Sequence, residues 1–348
     1  MIFSSAAIGL IARGQNGMQG VVFNHVVLGI GLGLVLLIAA SQVDYHIWKK
    51  YAPYLFGVSI LLTGLVFVPH IGAMHGGGRR WITLFHLTIQ PSETLKFAGV
   101  LIAATFFSHP KLKVNSIKFG LGGYASILAL PALILVLQPD LGTLAIVVAG
   151  ITAIYFMAGA RMRDLALVII VGFVSLAILA TIRPYVKDRI MTFINPGAGQ
   201  QTEGYQIRQS LIAVGSGGFL GRGFGQGVQK FTYLPEPMGD SIYAVAAEEL
   251  GFVGAAGLIV LFLLLALRGF SIAAGAPDLF GALLAGGLST TLITEAFVNI
   301  AAMLGVLPLT GIPLTFVSQG GSAILISLAS AGVLLNISKF SKKSAKME

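Results

Sequence analysis

Thirteen acidic residues are spread through 348 positions, and their neighbours decide which of them could do chemistry. Asp240 closes the stretch Tyr233-Leu234-Pro235-Glu236-Pro237-Met238-Gly239-Asp240 and stands just before an apolar run. A carboxylate between a basic segment and an apolar one suits a general base for a substrate presented at a membrane surface. Capping the helix that follows is the plainer role for the same residue. In Gln90-Pro91-Ser92-Glu93-Thr94-Leu95-Lys96, Ser92 is placed to cap a helix, and Glu93 and Lys96, three apart, to pair on one face. Such a couple either anchors a helix end through a snorkelling lysine or serves a substrate. Leu137-Gln138-Pro139-Asp140-Leu141-Gly142-Thr143 reads as a tight turn with Asp140 as the cap of the next helix. Glu248, Glu249 and Glu295 fall inside apolar runs, where ionisable groups are rare. Should Gly251 to Arg268 form the span, Glu248 and Glu249 lie near its outer end and Glu295 is the deepest acid, with a structural or a functional role. Asp44, Asp164, Asp278 and Glu348 lie among basic clusters and read as solvated charges.

Several chemistries are excluded outright. The chain has no cysteine, so it carries no disulfide, thiolate nucleophile or Cys-ligated zinc. No G-x-x-x-x-G-K-[ST] occurs, which excludes a nucleotide P-loop, and no D-x-D occurs. His70, His75 and His86 share one loop and are better read as loop histidines than as metal ligands. The seven glycines from Gly215 to Gly227 suit either close backbone approach or mobility.

The elements that must position these residues are transmembrane helices. Hydrophobic residues make up 56% of the chain and charged ones only 10%, with mean hydropathy +0.89. Soluble domains carry about 25% charged residues, so the chain is a polytopic, all-α membrane protein. Apolar runs fall at about 24–42, 52–70, 91–108, 117–137, 140–159, 165–183, 241–268, 278–304 and 312–336. A shorter run at 2–12 reads as the end of a first helix whose beginning is missing. The runs form a single transmembrane domain over 1–348, with one long loop at 184–240 and a basic tail at 337–348. Net charge is +9, and its distribution sets orientation. Lys49, Lys50, Lys111, Lys113, Lys118, Arg161, Arg163, Arg268, Lys339, Lys342, Lys343 and Lys346 lie on one side. The short loops on the other side hold only Arg13, Arg79 and Arg80. That bias places the tail in the cytoplasm and the 184–240 loop outside.

Taken together, the motifs resemble the SEDS (shape, elongation, division, sporulation) family. Arg80-Trp81, Gln90-Pro91-Ser92-Glu93-x-x-Lys96 and Gln138-Pro139-Asp140-Leu141-Gly142-Thr143 appear in that family's order. Gly204-Tyr205-Gln206-x-x-Gln209-Ser210, Leu234-Pro235-Glu236 through Asp240 and Glu248-Glu249-Leu250-Gly251 follow. Pro308-x-Thr310-Gly311-x-Pro313-Leu314 and Ser318-x-Gly320-Gly321-Ser322 complete the set. Val228-Gln229-Lys230-Phe231-x-Tyr233-Leu234-Pro235-Glu236 is closer to the family's division member, or its sporulation relative, than to its elongation member. Met238-Gly239 replaces the family's His-Thr, and Gln319 replaces its tyrosine between Ser318 and Gly320.

The resemblance implies a ten-helix bundle that polymerises glycan strands from lipid II on the outer face of the bacterial cytoplasmic membrane. It implies a class B penicillin-binding protein, the transpeptidase, as partner, alongside other division or elongation proteins, and no nucleic acid. Asp240 becomes the catalytic residue. Arg80, Lys96, Arg208 and Lys230 become candidate cations for the lipid diphosphate. Glu93, Asp140, Gln206, Gln209, Ser210, Glu236 and Ser318 complete the implied substrate-binding set. A lipid-linked donor needs no nucleotide, so no cofactor is expected. A lipid II flippase and a non-catalytic scaffold for the transpeptidase are the alternatives.

Overall fold

The 184–240 connection is not irregular throughout: among the described residues it holds three helices. The computed structural model describes residues 29–69, 71–75, 78–84, 87–195 and 203–341. Among them run α1 (Leu32–Gln42), α2 (His46–Leu65), β1 (Gly72–His75), β2 (Gly78–Leu84), β3 (Leu87–Ile89) and α3 (Pro91–Phe107). A π-helical turn at Ile117–Leu121 leads into α4 (Gly122–Leu137), followed by α5 (Leu141–Met157) and α6 (Met162–Ile182). Then come α7 (Pro184–Ile194), α8 (Glu203–Ser216), α9 (Gln229–Thr232), α10 (Ile242–Gly275), α11 (Leu279–Met303) and α12 (Gly321–Lys339). The run at 2–12, His70 and His86 lie outside the described residues.

Five of these segments are long and apolar enough to cross a membrane: 117–137, 162–182, 242–275, 279–303 and 321–339. Shorter apolar helices occupy Gly29–Gln42 and Leu141–Met157. Phe173, at 70% exposure, and Ile182, at 66%, show α6 turning apolar surface outward, as only a lipid-facing helix tolerates over such a length. The protein is a multi-pass helical membrane protein. The last span begins at Gly321, not at 312, because Pro308, Gly311 and Pro313 keep 304–320 out of a helix.

Contacts divide the chain into two compact units. The first comprises, among the described residues, those of 29–165, 264–294 and 321–341. Here α1 packs on α12, α2 on α3, and α3 and α4 on α5. A Cβ at Gly332 would fall 2.4 Å from Leu37 O, so glycine is what lets α1 and α12 approach. Asn336 fastens the α1–α2 turn to α12, accepting from Tyr45 N–H at 2.9 Å and donating to Ser41 O at 2.9 Å. The strands form an antiparallel sheet in the order β1-β2-β3, with Thr83 opposite Thr88, and β3 delivers the chain to α3. Asp164, read above as solvated, is buried and accepts from Tyr155 O–H at 3.4 Å. Its partner lies nine residues back, on α5, where a count of nearby charges does not reveal it.

The second unit comprises, among the described residues, 166–195, 203–263 and 295–320. Its centre is the first half of α10, which is buried from Ile242 to Glu249. Gly251 (φ 66°, ψ −166°) then breaks the helix. The glycine-rich segment packs backbone to backbone on this half-helix. Arg222 N–H donates to Glu248 O at 3.0 Å and Gly223 N–H to Glu249 O at 3.1 Å. A Cβ at Gly221 would meet Glu249 O at 2.1 Å, and its φ of +84° also favours glycine. Close approach to the half-helix is what Gly217, Gly221 and Gly227 serve.

Candidate functional site

The residues singled out in the sequence gather into two clusters, one in each unit. In the first unit, Pro91 occupies the first turn of α3 and Gln90 its cap position. Ser92 therefore lies inside the helix and does not cap it, since proline with its fixed φ starts the helix ahead of it. Glu93 and Lys96 form an ion pair at 2.9 Å, with side chains 2% and 4% exposed. Asp140 caps α5, accepting from Thr143 N–H at 3.3 Å and Thr143 O–H at 2.9 Å. Gln90 Nε2 donates at 3.4 Å to Asp140 Oδ2, the oxygen that also takes the Thr143 hydroxyl. The Arg80 guanidinium donates to the carbonyls of Gln138 and Pro139 and lies 4.0 Å from Asp140. Arg80 and Lys96 thus each have a carboxylate close by.

In the second unit, Asp240 lies two residues before the start of α10. Gln206 Nε2, on α8, donates to Asp240 Oδ1 at 3.1 Å and to Ser241 Oγ at 2.9 Å, and Ser241 O–H lies 3.5 Å from Oδ1. Among the described residues, no first-turn amide of α10 reaches the Asp240 carboxylate; Asp240's own N–H acts on it, and no other residue donates to Oδ2. Beside Oδ2 stands Gly311 (φ 66°), where a Cβ would lie 3.9 Å from that oxygen. One oxygen is held and the other is left open. Burial pushes the Asp240 carboxyl up to about 6, with the Gln206 hydrogen bond acting against this and the nearby Glu236 charge adding to it. Glu236 adopts φ 46°, and its carbonyl accepts from Gly239 N–H at 3.0 Å and Ser241 N–H at 3.2 Å, forming the turn that ends at Asp240. A base with one free oxygen and a pKa near neutrality can take a proton from a sugar hydroxyl.

The other residues of this unit have varied settings. Lys230 is buried against Glu249 and donates to Gly225 O at 3.0 Å. Glu248 accepts from Val228 N–H at 2.8 Å and lies 3.8 Å from Arg222. These two acids therefore hold the glycine-rich segment. Ser210 is buried with its hydroxyl 3.4 Å from Met303 Sδ, and Gln209 and Arg208 are half-buried on the same helix. Of the four candidate cations, Arg208 alone has no ion pair among the described residues. Glu295 is buried on α11.

Sequence reasoning missed Asn299 and Ser241, and met Gly311 only as part of a motif, without a role. Asn299 had a signal, an amide deep in an apolar run. Ser241 had none beyond its neighbours. The departures Met238-Gly239 and Gln319 meet each other through the main chain, Gln319 N–H donating to Met238 O at 2.7 Å. That contact does not depend on the side chains replaced.

A family model described as cell cycle protein, covering FtsW, RodA and SpoVE, matches residues 1–343. Stage V sporulation protein E of Bacillus subtilis is 39% identical over 315 residues, covering 90% of this chain and 85% of its own. A probable peptidoglycan glycosyltransferase FtsW of Geobacter sp. is 39% identical over 307 residues, covering 88% and 84%. A solved structure described as the structural coordination of polymerization and crosslinking by a peptidoglycan synthase complex superposes with a TM-score of 0.76 at 28% identity, covering 98% of this chain and 96% of that one.

Proposed function

The chain belongs to the FtsW, RodA and SpoVE family of cell cycle proteins, and on that premise we propose that it is a peptidoglycan glycosyltransferase that polymerises lipid II with Asp240 as general base. The observation that carries the reading is the split between the two oxygens of Asp240, one held by Gln206 and the other open beside Gly311. Oδ2 accepts the proton of the acceptor GlcNAc 4-hydroxyl as that oxygen attacks the donor's anomeric carbon. The bond from that carbon to the diphosphate oxygen breaks, and undecaprenyl pyrophosphate leaves with the electron pair. A base poised near neutrality contributes about 10²–10⁴-fold. Arg208, with no carboxylate partner among the described residues, is the cation best able to offset the charge that develops on the leaving diphosphate. The donor carries its own leaving group, so the reading calls for no nucleotide cofactor.

In this reading the protein works in the bacterial cytoplasmic membrane, at the division septum, beside a class B penicillin-binding protein. The peptidoglycan synthase complex that it resembles supports a partnered enzyme. The bias of basic residues supports a cytoplasmic C-terminus and an outer 184–240 segment. The Val228–Glu236 motif supports the division or sporulation branch. The test is glycan-strand synthesis from purified lipid II by the wild-type protein and Asp240→Asn, with and without the transpeptidase. A flippase would move lipid without lengthening glycan, and a scaffold would do neither.

A further inference from the structure

Three consecutive backbone carbonyls just ahead of α10 are each held by a donor from further along the chain. Gln319 N–H donates to Met238 O at 2.7 Å, Ser318 O–H to Gly239 O at 2.6 Å and Asn299 Nδ2 to Asp240 O at 2.7 Å. Asn299 stands on α11, 1% exposed, and its Nδ2 donates a second hydrogen bond to Ile312 O at 2.7 Å. Two carbonyls converging on one atom require that atom to be the amide nitrogen, so the orientation of the side chain is fixed by the network. Ile312 adjoins Gly311, the residue that flanks Asp240 Oδ2. One buried amide therefore ties the backbone of Asp240 to the backbone bordering its open oxygen. The Ser318 hydroxyl is likewise engaged twice, since it also accepts from Leu314 N–H at 2.7 Å.

We propose that Asn299 and Ser318 are positioning residues, which act through the main chain to fix where Asp240 Oδ2 stands relative to Gly311. The inference rests on the reading of Asp240 as the base. It differs from substrate binding in what each variant should change. A positioning residue is felt in kcat, because it sets the geometry of proton transfer, whereas a residue that binds lipid II is felt in KM. Displacements near 1 Å at a reacting group cost about 10²-fold. Asn299 holds two carbonyls and Ser318 one of the three, so the larger effect belongs to Asn299.

The experiment compares lipid II polymerisation by wild type, Asn299→Ala, Ser318→Ala and Asp240→Asn, normalised to monodisperse folded protein, across pH 5 to 9. Asn299→Ala is expected to lower kcat by about 10- to 100-fold with KM for lipid II unchanged, and to displace the acid limb of the pH profile. Ser318→Ala should show the same pattern at smaller amplitude. It decides the matter alone if Asn299→Ala does not fold. Wild-type kcat per folded molecule in the variant that folds, a KM effect without a kcat effect, or a fall in kcat with an unmoved acid limb would overturn the proposal. An active Asp240→Asn would instead remove the base reading itself. The two failures are therefore separable: an inactive Asp240→Asn beside a fully active Asn299→Ala sinks only the positioning role.

Discussion

Replacing Lys230 with methionine separates a structural cation from a substrate-binding one. Its ammonium is buried against Glu249, with both side chains 0% exposed, and also holds Gly225 O. Glu249 in turn accepts from Gly225 N–H at 3.0 Å, so the pair pins the glycine-rich segment to the half-helix. Methionine keeps the length of the stem and removes the charge, which leaves the Glu249 carboxylate without its ammonium in a dry site. Breaking a buried pair from one side costs about 3–5 kcal/mol, roughly a 150-fold or greater shift in the unfolding equilibrium. Replacing both partners by apolar residues of similar volume is often neutral. Thermal unfolding in detergent should therefore show Lys230→Met well below wild type and Lys230→Met/Glu249→Leu largely recovered. If Lys230→Met melts like wild type and loses only lipid II polymerisation, the ammonium serves the diphosphate and the structural argument is wrong.

Polymerisation should fall as pH drops through about 6, because a protonated Asp240 cannot accept the acceptor's proton, and a rate flat from pH 5 to 8 would contradict this. Lys96→Ala leaves Glu93 buried without the ammonium 2.9 Å away, so it should destabilise by about 3 kcal/mol or more, and an unchanged melting temperature would show the pair to be dispensable. Since the chain contains no cysteine, Lys187→Cys gives a single label site on the exposed face of α7, expected to react with impermeant maleimide from outside the cell. Labelling only after the cytoplasm is opened would invert the topology.

What the sequence showed depended on the distance over which each contact acts. The Glu93–Lys96 pair and the Asp140 cap lie within one helical turn, and residue types three apart were enough to expect them. Most spans followed from hydropathy, but α2 starts at His46 rather than 52, prolines and glycine delay the last to Gly321, and α7 to α9 lie where a loop was expected. The three short strands carried no alternating pattern long enough to announce them. Contacts between distant segments were out of reach. Lys230 meets Glu249 nineteen residues on, and Asn299 meets Asp240 fifty-nine residues back. Lys230 and Arg80 looked alike as spare cations until packing gave each a carboxylate. Burial also separated Asp164 from the solvated acids among which its charge neighbours had placed it.

The most direct test of the account is glycan length from lipid II with purified Asp240→Asn, run beside its melting temperature. Asparagine keeps the shape and can still accept from Gln206, and no cap is lost, because no α10 amide reaches the Asp240 side chain. Because burial raises the carboxyl's pKa, ionising it costs the folded state at neutral pH, so the neutral variant should melt no lower than wild type. The account predicts a fall in polymerisation of about 10²–10⁴-fold with folding and lipid II binding intact. Glycan strands of wild-type length from a well-folded Asp240→Asn would contradict it.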